Sequence, residues 1–395
     1  MSDHKLELTP VIPIPAHLVG EVESKLAYVD EAITAARVSP LGDRIVLHLN
    51  TDVDAAALEN KVQRVVETMA QGAIQPRVEV LEDHLDKPVP YTADPTDILL
   101  AQGEVYQEDQ GLFSLGPLVT GLVDYFEGRF NELAAYFAAP RRRFPTLIPA
   151  KFLHQVNYFR AFPHSLSFAT HLREDLDVIE DFSEHAAYDE SLDGMNTPPE
   201  SFARIKALLS PAVCYHLYLS LARQTLPEGG LTATAVGDCF RYESINLTSL
   251  ERMWNFTMWE VIFVGSKDMV LENREKGRLF MQQVYDEVGL AYRVESANDP
   301  FFIGEFRKQA AFQSAFQLKY EVRARLPFKD STLAIGSYNY HQDFFGRHME
   351  ISLPDGSPAH TGCIAFGLER AAFAFLAQYG VDPQAWPSAV QEAVQ

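Results

Sequence analysis

The sequence predicts an α+β protein in which an antiparallel sheet flanked by helices follows a small N-terminal α/β sandwich. Three observations support this class: a pair of apolar strand patterns in mid-chain, a strand that runs directly into a helix near the end, and alternating strand and helix patterns over the first 86 residues. With 395 residues and 47% hydrophobic composition, the chain is long enough for one large core and a smaller domain.

Residues 1–86 have the order β-α-β-β-α-β, which is typical of a ferredoxin-like sandwich. The second helix of this unit is predicted to begin after Asp52 or Asp54, either of which can cap it. The unit has no cysteine and few cations, so we expect an interaction or packing module, whose role the sequence does not define. The stretch HLDKPVPYTADP predicts a linker to a second domain over 87–395, where a helix, a turn and a long amphipathic helix come first.

The mid-chain pair predicts an antiparallel hairpin. TATAVGDCFRYES is rich in strand-forming residues and follows a Gly-Gly breaker, and NFTMWEVIFVG returns after an irregular loop. Because side chains alternate along a strand, Arg241 and Glu243 are expected to share one face. A guanidinium in this position can bind a phosphate and a carboxylate together, which is planar recognition that suits Arg better than Lys.

The C-terminal strand is predicted over 361–366 and leads through Gly367 into a helix whose first turn contains Arg370. A strand that opens directly into a helix can direct a cation at a polyphosphate. Phe256, in the return strand of the hairpin, can stack on a purine. These features together predict a nucleotide site.

The segments CFRYE, ERMWNF and CIAFGLERAAFAFL resemble motifs 2 and 3 of the class II aminoacyl-tRNA synthetases. From about residue 144 to residue 380 the chain resembles the amino acid:carrier-protein ligases. These are small seryl-tRNA-synthetase-like enzymes that lack a tRNA-binding domain and load the phosphopantetheine thiol of a carrier. The supporting stretches are RFPTLIPAKFLHQVNYFRAFPHSL, LSPAVCYHLY, GLTATAVGDCFRYE, ANDPFF, QLKYE, SYNYHQDFFG and PAHTGCIAFGLER.

The resemblance implies roles for individual residues. Arg241 would bind the α-phosphate and the substrate carboxylate, and Glu243 would contact the nucleotide. Arg252 and Arg370 would hold the outer phosphates, while Phe256 and Arg370 would enclose the adenine. On this view Arg241 and Arg370 are the catalytic residues. Further nucleotide-contact positions would be Met253, Lys319, Ala334 and Ser337.

The resemblance also implies a zinc site formed by Cys214, Glu260 and Cys363. Independently of it, Glu260 lies on the apolar face of a strand, where a carboxylate is costly unless it is paired or bound to a metal. The chain has three cysteines and no C-x-x-C pair, which argues against a zinc knuckle or a disulfide framework. Three ligands from distant segments would leave one open tetrahedral position. Cys239 shares the predicted face of Arg241 and is either a packing residue, as single cysteines usually are, or a rival ligand.

These features predict ATP-dependent activation of an amino acid, with Zn²⁺, ATP and Mg²⁺ as cofactors. The resemblance implies that the amino acid is a small one, such as glycine or alanine, and that it is transferred to a carrier thiol. Three alternatives stay open: an aminoacyl-tRNA synthetase, aminoacyl transfer to a small-molecule or peptide amine, and a non-catalytic binding module. The net charge of −21 disfavours tRNA as a partner. The cluster Arg141-Arg142-Arg143 can steer an acidic carrier protein or simply be a solvated segment.

We further expect a homodimer, because the long helix ahead of the sheet commonly forms the dimer interface in the class that the chain resembles. We expect a cytoplasmic protein, since no apolar run approaches a membrane span and the N-terminus has no signal-peptide pattern. Two departures from the family concern the pocket. Thr257 and Trp259 replace basic residues beside Glu260, and the loop from Glu243 to Arg252 is longer, which predicts altered surroundings for substrate and ATP.

Overall fold

A computed structural model describes residues 4–73, 75, 78–191, 193–299 and 317–394. Its strands are β1 (His4–Leu8), β2 (Ile33–Val38), β3 (Ile45–Leu49), β4 (Val80–Asp83), β5 (Val105–Asp109), β6 (Leu112–Leu115), β7 (Arg141–Arg142), β8 (Leu147–Pro149), β9 (Phe168–Ala169), β10 (Tyr188–Asp189), β11 (Gly194–Met195), β12 (Ala207–Leu209), β13 (Leu231–Phe240), β14 (Asn255–Gly265), β15 (Tyr292–Ser296), β16 (Lys319–Leu326), β17 (Ser331–Gln342) and β18 (His360–Gly367). Its α-helices are α1 (Val19–Leu26), α2 (Ala55–Ala70), α3 (Thr96–Ala101), α4 (Pro117–Tyr136), α5 (Ala150–Gln155), α6 (Tyr158–Ala161), α7 (Leu176–His185), α8 (Cys214–Ser220), α9 (Lys267–Val288), α10 (Phe344–Met349), α11 (Leu368–Tyr379) and α12 (Ser388–Val394). The α+β class is confirmed.

The central sheet has eight strands in the order β4-β15-β16-β17-β18-β14-β13-β7. All neighbours pair antiparallel except β13 and β7, which run parallel. The predicted hairpin forms as β13 and β14, with register from Leu231 opposite Val264 to Phe240 opposite Asn255. The predicted strand-to-helix opening forms as β18 and α11.

The two faces of the central sheet pack against different layers. Along β14, Trp259, Val261 and Phe263 join the larger core, to which α4, α9 and α11 contribute. Ile262 and Val264 point to the other face and pack with residues of α8 and α10. This alternation is the period of two that a strand imposes, and it places Glu260 on the same face as Ile262 and Val264.

The N-terminal unit keeps three of its four predicted strands in one small sheet, with the order β1-β3-β2. Helices α1 and α2 pack on this sheet, and Asp54 caps α2 by accepting hydrogen bonds from the backbone N–H groups of Ala56 and Ala57. The unit therefore has its own core. Residues 76 and 77 of the predicted fourth strand lie outside the described residues.

The ferredoxin-like prediction is wrong for the fourth strand. This strand, β4, pairs with β15 at the edge of the central sheet and not with the strands of the N-terminal unit. Its buried side chain is Glu82, which forms an ion pair with Arg278 and accepts a 2.7 Å hydrogen bond from the Tyr292 hydroxyl. A carboxylate would be unpaired in the apolar core of the small sheet, whereas the central sheet supplies both partners. We propose that the N-terminal unit ends before Val80 rather than at residue 86.

The segment ahead of the central sheet contains α3, the short hairpin of β5 and β6 where a turn is predicted, and the long helix α4. Seven residues of α4 are buried, and Phe130 stacks on Phe366 of β18 with ring centroids 4.1 Å apart. Over the part of the chain that the structure describes, every helix is too short or too polar to cross a bilayer.

Candidate functional site

The loop that joins β13 to β14, residues 241–254, contains four of the nine residues that the resemblance assigns to the nucleotide, and it is called the ATP loop here for that predicted role. The prediction that Arg241 and Glu243 share one face of a strand is wrong, because β13 ends at Phe240, before both residues. Arg241 still closes the hairpin, since its backbone N–H donates to the Trp254 carbonyl at 3.0 Å. Its guanidinium donates twice to the Pro211 carbonyl, at 3.2 and 3.1 Å, and lies 5.4 Å from the centroid of the Phe256 ring.

Two further arginines converge on the same loop. Arg252 forms an ion pair with Glu243 across the loop and is partly exposed. Arg370, in the first turn of α11, donates from Nε to the Glu251 carbonyl at 2.7 Å and from Nη1 to the Ala334 carbonyl at 3.3 Å. The structure therefore brings Arg241, Glu243, Arg252 and Phe256 together at this loop. Arg370 contacts both the loop and β17.

Lys319 and Met253 have internal partners. The Lys319 ammonium lies 2.7 Å from Asp299 and 3.1 Å from Glu321, so two carboxylates neutralise it. Met253 is buried in the larger core. Both nucleotide assignments stay predictions. The stretch ANDPFF, which supported the family resemblance, lies outside the described residues from position 300 onward.

The three predicted metal ligands form one compact group. Cys214 is the first residue of α8, Glu260 lies in the middle of β14, and Cys363 lies on β18, which pairs with β14. One ligand atom from each residue lies within 4.8 Å of the others, and the residues are 4%, 1% and 3% exposed, respectively. Among the described residues, these three form the one group of acidic, histidine or cysteine side chains whose ligand atoms lie close enough together to hold a metal ion.

The chemistry of this group fits a metal ion. Oε1 of Glu260 accepts a 3.2 Å hydrogen bond from the backbone N–H of Val213, but Oε2 is buried without a hydrogen-bond partner in the described part of the chain. Burial raises the pKa of Glu260, and a hydrogen bond with Cys363 together with burial raises the pKa of Cys214. Protons hold the group neutral unless a cation replaces them. Two thiolates and one carboxylate suit zinc.

Cys239 does not join the metal group. It is fully buried and packs with Val213 and Ala235, and burial raises its pKa well above the usual value. The packing interpretation of Cys239 therefore fits the structure, and the rival-ligand interpretation does not.

The expectation that Trp259 alters the pocket near Glu260 is wrong. Trp259 projects to the opposite face of β14, where it packs in the larger core and donates a 2.9 Å hydrogen bond to Oδ1 of Asn131. Thr257 lies nearer the ATP loop, where its backbone N–H donates to the Glu369 carboxylate. Neighbours in sequence lie on opposite faces of a strand, so Trp259 replaces no group around the metal ligands.

Asn339 is a residue of the site that the sequence reasoning missed. Its Nδ2 donates to Ser337 Oγ at 2.8 Å and to Cys363 Sγ at 3.4 Å. Ser337 is thereby linked to the metal group rather than to the arginines. The signal was present in the stretch SYNYHQ, where polar residues alternate with the buried Tyr338 and Tyr340.

Two residues of the basic cluster line a cavity. Arg141 and Arg143 line a cavity of about 280 Å³ together with Val213, the residue before the first metal ligand. Arg141 is exposed and pairs with Glu127 at 3.1 Å. A carrier-steering role for the cluster stays a prediction.

Comparisons with known proteins place the chain in a class. No protein-family model matches it. In fold it is similar to the M. kandleri seryl-tRNA synthetase, solved in complex with A. aeolicus tRNASec, with a TM-score of 0.72, 19% identity, and coverage of 99% of this chain and 77% of that one. The cytoplasmic serine-tRNA ligase of Naegleria fowleri, solved with AMP, is similar over 86% of this chain and 77% of that one, with 13% identity and a TM-score of 0.59. The fold is therefore that of a class II, seryl-type synthetase.

The sequence relatives narrow the class. "Amino acid--[acyl-carrier-protein] ligase 1" of Bradyrhizobium diazoefficiens is 32% identical over 314 residues, which cover 77% of this chain and 90% of that protein. A type-2 serine-tRNA ligase of Methanocaldococcus jannaschii is 24% identical over 334 residues, which cover 82% of this chain and 63% of that protein. The chain belongs to the amino acid:acyl-carrier-protein ligase family and is a ligase.

Proposed function

We propose that the chain activates a small amino acid with ATP to an aminoacyl-adenylate and transfers the aminoacyl group to the phosphopantetheine thiol of a carrier protein. One observation carries the proposal. Phe256 and Glu260 share one face of β14, four residues or about 13 Å apart, so the Arg241–Phe256 pair and the metal group lie along one strand. Such an arrangement can hold ATP at one end and an amino acid at the other.

In the first half-reaction the amino-acid carboxylate attacks the α-phosphorus of Mg²⁺-bound ATP, the bond to the β-phosphate oxygen breaks, and pyrophosphate leaves. Arg241 binds the α-phosphate and the carboxylate, while Arg252 and Arg370 bind the outer phosphates. Phe256 stacks on the adenine. The side chains supply position and charge rather than covalent catalysis. Because Arg252 is paired with Glu243 at the loop surface, phosphate can compete for it when ATP binds.

Cys214, Glu260 and Cys363 would hold zinc, which supplies an open coordination position for the substrate's α-amino group. Asn339 orients this set through its hydrogen bond to the Cys363 sulfur. Holding the amine fixes the carboxylate relative to Arg241. The site therefore selects for an α-amino acid before adenylation.

In the second half-reaction the carrier thiolate attacks the carbonyl carbon of the adenylate. The bond to the phosphate oxygen breaks, AMP leaves, and a thioester forms. Membership of the ligase family supports a carrier as acceptor. The net charge of −21 also disfavours a polyanionic tRNA.

A specific observation favours tRNA as a second candidate acceptor. The match to the M. kandleri seryl-tRNA synthetase covers 99% of this chain, so it includes the N-terminal unit. Filter binding of tRNA and aminoacylation assays would decide between the two acceptors.

We also propose a homodimer, as the family resemblance implies, which sedimentation equilibrium would test.

Amino-acid-dependent ATP–pyrophosphate exchange across the proteinogenic amino acids, with zinc content measured in parallel, tests the first half-reaction. We expect exchange with one or two small amino acids and about one zinc per chain.

The acceptor test is incubation with a phosphopantetheinylated carrier, with the unmodified carrier as control. A hydroxylamine-labile aminoacyl group only on the modified carrier supports the thioester. Equal labelling of both carriers, or of neither, contradicts it.

A further inference from the structure

The N-terminal unit contacts the ATP loop through one end of α1. We infer that this end of α1 is a positioning element that holds the ATP loop in its nucleotide-binding conformation. The inference rests on the proposed function, because it assumes that the loop binds ATP. It gives the N-terminal unit a task within the reaction.

Loop side chains bind the C-terminal end of α1. Nδ2 of Asn246 donates to the Ser24 carbonyl at 3.2 Å, and the Ser244 hydroxyl donates to the Ala27 carbonyl at 3.2 Å. The last carbonyls of a helix have no partner within the helix, so they need donors from elsewhere. The same Asn246 amide also donates to the Glu243 carbonyl at 3.0 Å. One side chain therefore ties the helix end to the backbone of a nucleotide-contact residue.

A second set of contacts fixes the loop at Tyr242. The Tyr28 hydroxyl, two residues beyond α1, donates to the Tyr242 carbonyl at 3.3 Å, and the Tyr242 N–H donates to the Ser165 carbonyl at 3.1 Å. Both backbone polar groups of Tyr242 are thus occupied. Tyr242 lies between Arg241 and Glu243, so its backbone position sets where both functional side chains start.

The loop backbone itself needs external support. Ser244 has φ = 53°, in the left-handed region that residues other than glycine seldom adopt. Ile245, the next residue, packs on the core of the N-terminal unit. A disfavoured conformation persists where its surroundings hold it in place, and here the N-terminal unit supplies much of those surroundings.

A buried cation adds to the contact. Lys25 is 6% exposed, and its ammonium lies 3.3 Å from Nε2 of His164. Burial lowers the pKa of Lys25 to about 8, while the charges of Glu21 and Glu243 oppose that shift. The charge of Glu243, the partner of Arg252, therefore acts on Lys25. The N-terminal unit touches the loop by hydrogen bonds, apolar packing and charge.

The consequence is thermodynamic linkage between ATP binding and the docking of the N-terminal unit. If docking holds the loop ready for ATP, bound ATP must strengthen docking by the same factor. Loss of a docking contact should therefore weaken ATP binding without changing the metal group, whose three residues lie outside the loop. A purely structural role would not separate these quantities.

The test uses the full chain and the substitution Tyr28→Phe, which removes the hydroxyl and keeps the ring. We expect the KM for ATP to rise about fivefold, as the loss of one hydrogen bond suggests, with zinc content unchanged. Lys25→Met should give a rise in the same direction. Lys5→Met, an exposed lysine of the same unit paired with Glu7, is the matched control and should leave every parameter unchanged.

Hydrogen–deuterium exchange of the unaltered protein provides a measurement that needs no variant. ATP without amino acid should slow exchange of the amides of α1, and Tyr28→Phe should reduce that protection. Unchanged ATP KM in both variants, or no ATP effect on α1, would overturn the inference. ATP binding without amino-acid-dependent exchange would overturn the proposed function alone. A chain that binds no ATP would overturn both.

Discussion

The metal group and the ATP loop are built in opposite ways. The metal group lies on regular elements, is almost fully buried and includes a carboxylate oxygen without a hydrogen-bond partner in the described residues. The ATP loop is irregular, its two arginines already have internal partners in Pro211 and Glu243, and Arg370 of α11 is bound to Glu251 of the loop. Packing therefore preforms the metal group, whereas the arginines at the loop are held by polar contacts that ATP can exchange.

This difference predicts two kinds of response to substitution. Loss of a metal ligand leaves buried groups without their compensating cation, so its effect should be close to all or none. Loss of a loop contact removes one of several exchangeable interactions, so its effect should be graded.

Cys214→Ala should abolish zinc binding and reduce ATP–pyrophosphate exchange by more than about 100-fold. The loss should exceed this value because removing a residue that only orients a ligand already costs up to about 100-fold. Metal analysis and exchange assays measure both effects. Cys239→Ala is the matched control, because Cys239 is equally buried but lies outside the group. Zinc retained by Cys214→Ala, or lost by Cys239→Ala, would contradict the assignment of ligands.

Arg370→Lys should lower kcat/KM for ATP by about 100-fold, the cost typical of losing one donor to a developing charge. Lysine cannot donate to the Glu251 and Ala334 carbonyls with the fixed geometry of a guanidinium and also reach phosphate. Steady-state exchange kinetics measure the loss, and zinc content should not change. Arg347→Lys, at an exposed arginine paired with Asp343, is the control. Equal losses in both variants would show that the change acts through stability.

Asn339→Ala should weaken zinc binding about tenfold, since residues that orient a ligand contribute less than the ligand itself. The variant loses the hydrogen bond to the Cys363 sulfur but keeps all three ligands. Competition with a chromogenic chelator measures the dissociation constant. An affinity equal to that of the unaltered protein would mean that the 3.4 Å contact does not orient the ligand.

The sequence predicts the parts of the site that depend on local pattern. Strand composition located β13 and β14, and the cost of burying Glu260 pointed to a cation. It could not show where β4 pairs, because Arg278 and Tyr292, the partners of Glu82, lie about 200 residues further along the chain. Alternation along β14 is enough to predict that Trp259 and Glu260 lie on opposite faces. The comparison with the family's basic residues instead led to the expectation that Trp259 lies beside the metal ligands.

The contact between α1 and the ATP loop lay beyond the sequence for a similar reason. Asn246 and Ser244 are ordinary loop residues, and the carbonyls that they bind belong to a helix more than 200 residues earlier. Any polar loop residue can donate to any free carbonyl, so composition does not identify the pair. For this reason the sequence predicts an N-terminal module but does not define its role.

Asp54→Ala separates the stability of the N-terminal unit from its docking and should have the smallest effect on activity. Loss of the cap should destabilise α2 by about 1 kcal/mol, because two backbone N–H groups lose their acceptor. Thermal unfolding should show the loss, while the KM for ATP should stay unchanged, since α1 and its contacts with the ATP loop are intact. A rise in the ATP KM as large as that of Tyr28→Phe would mean that general loosening of the unit, rather than the contacts of α1, governs the loop.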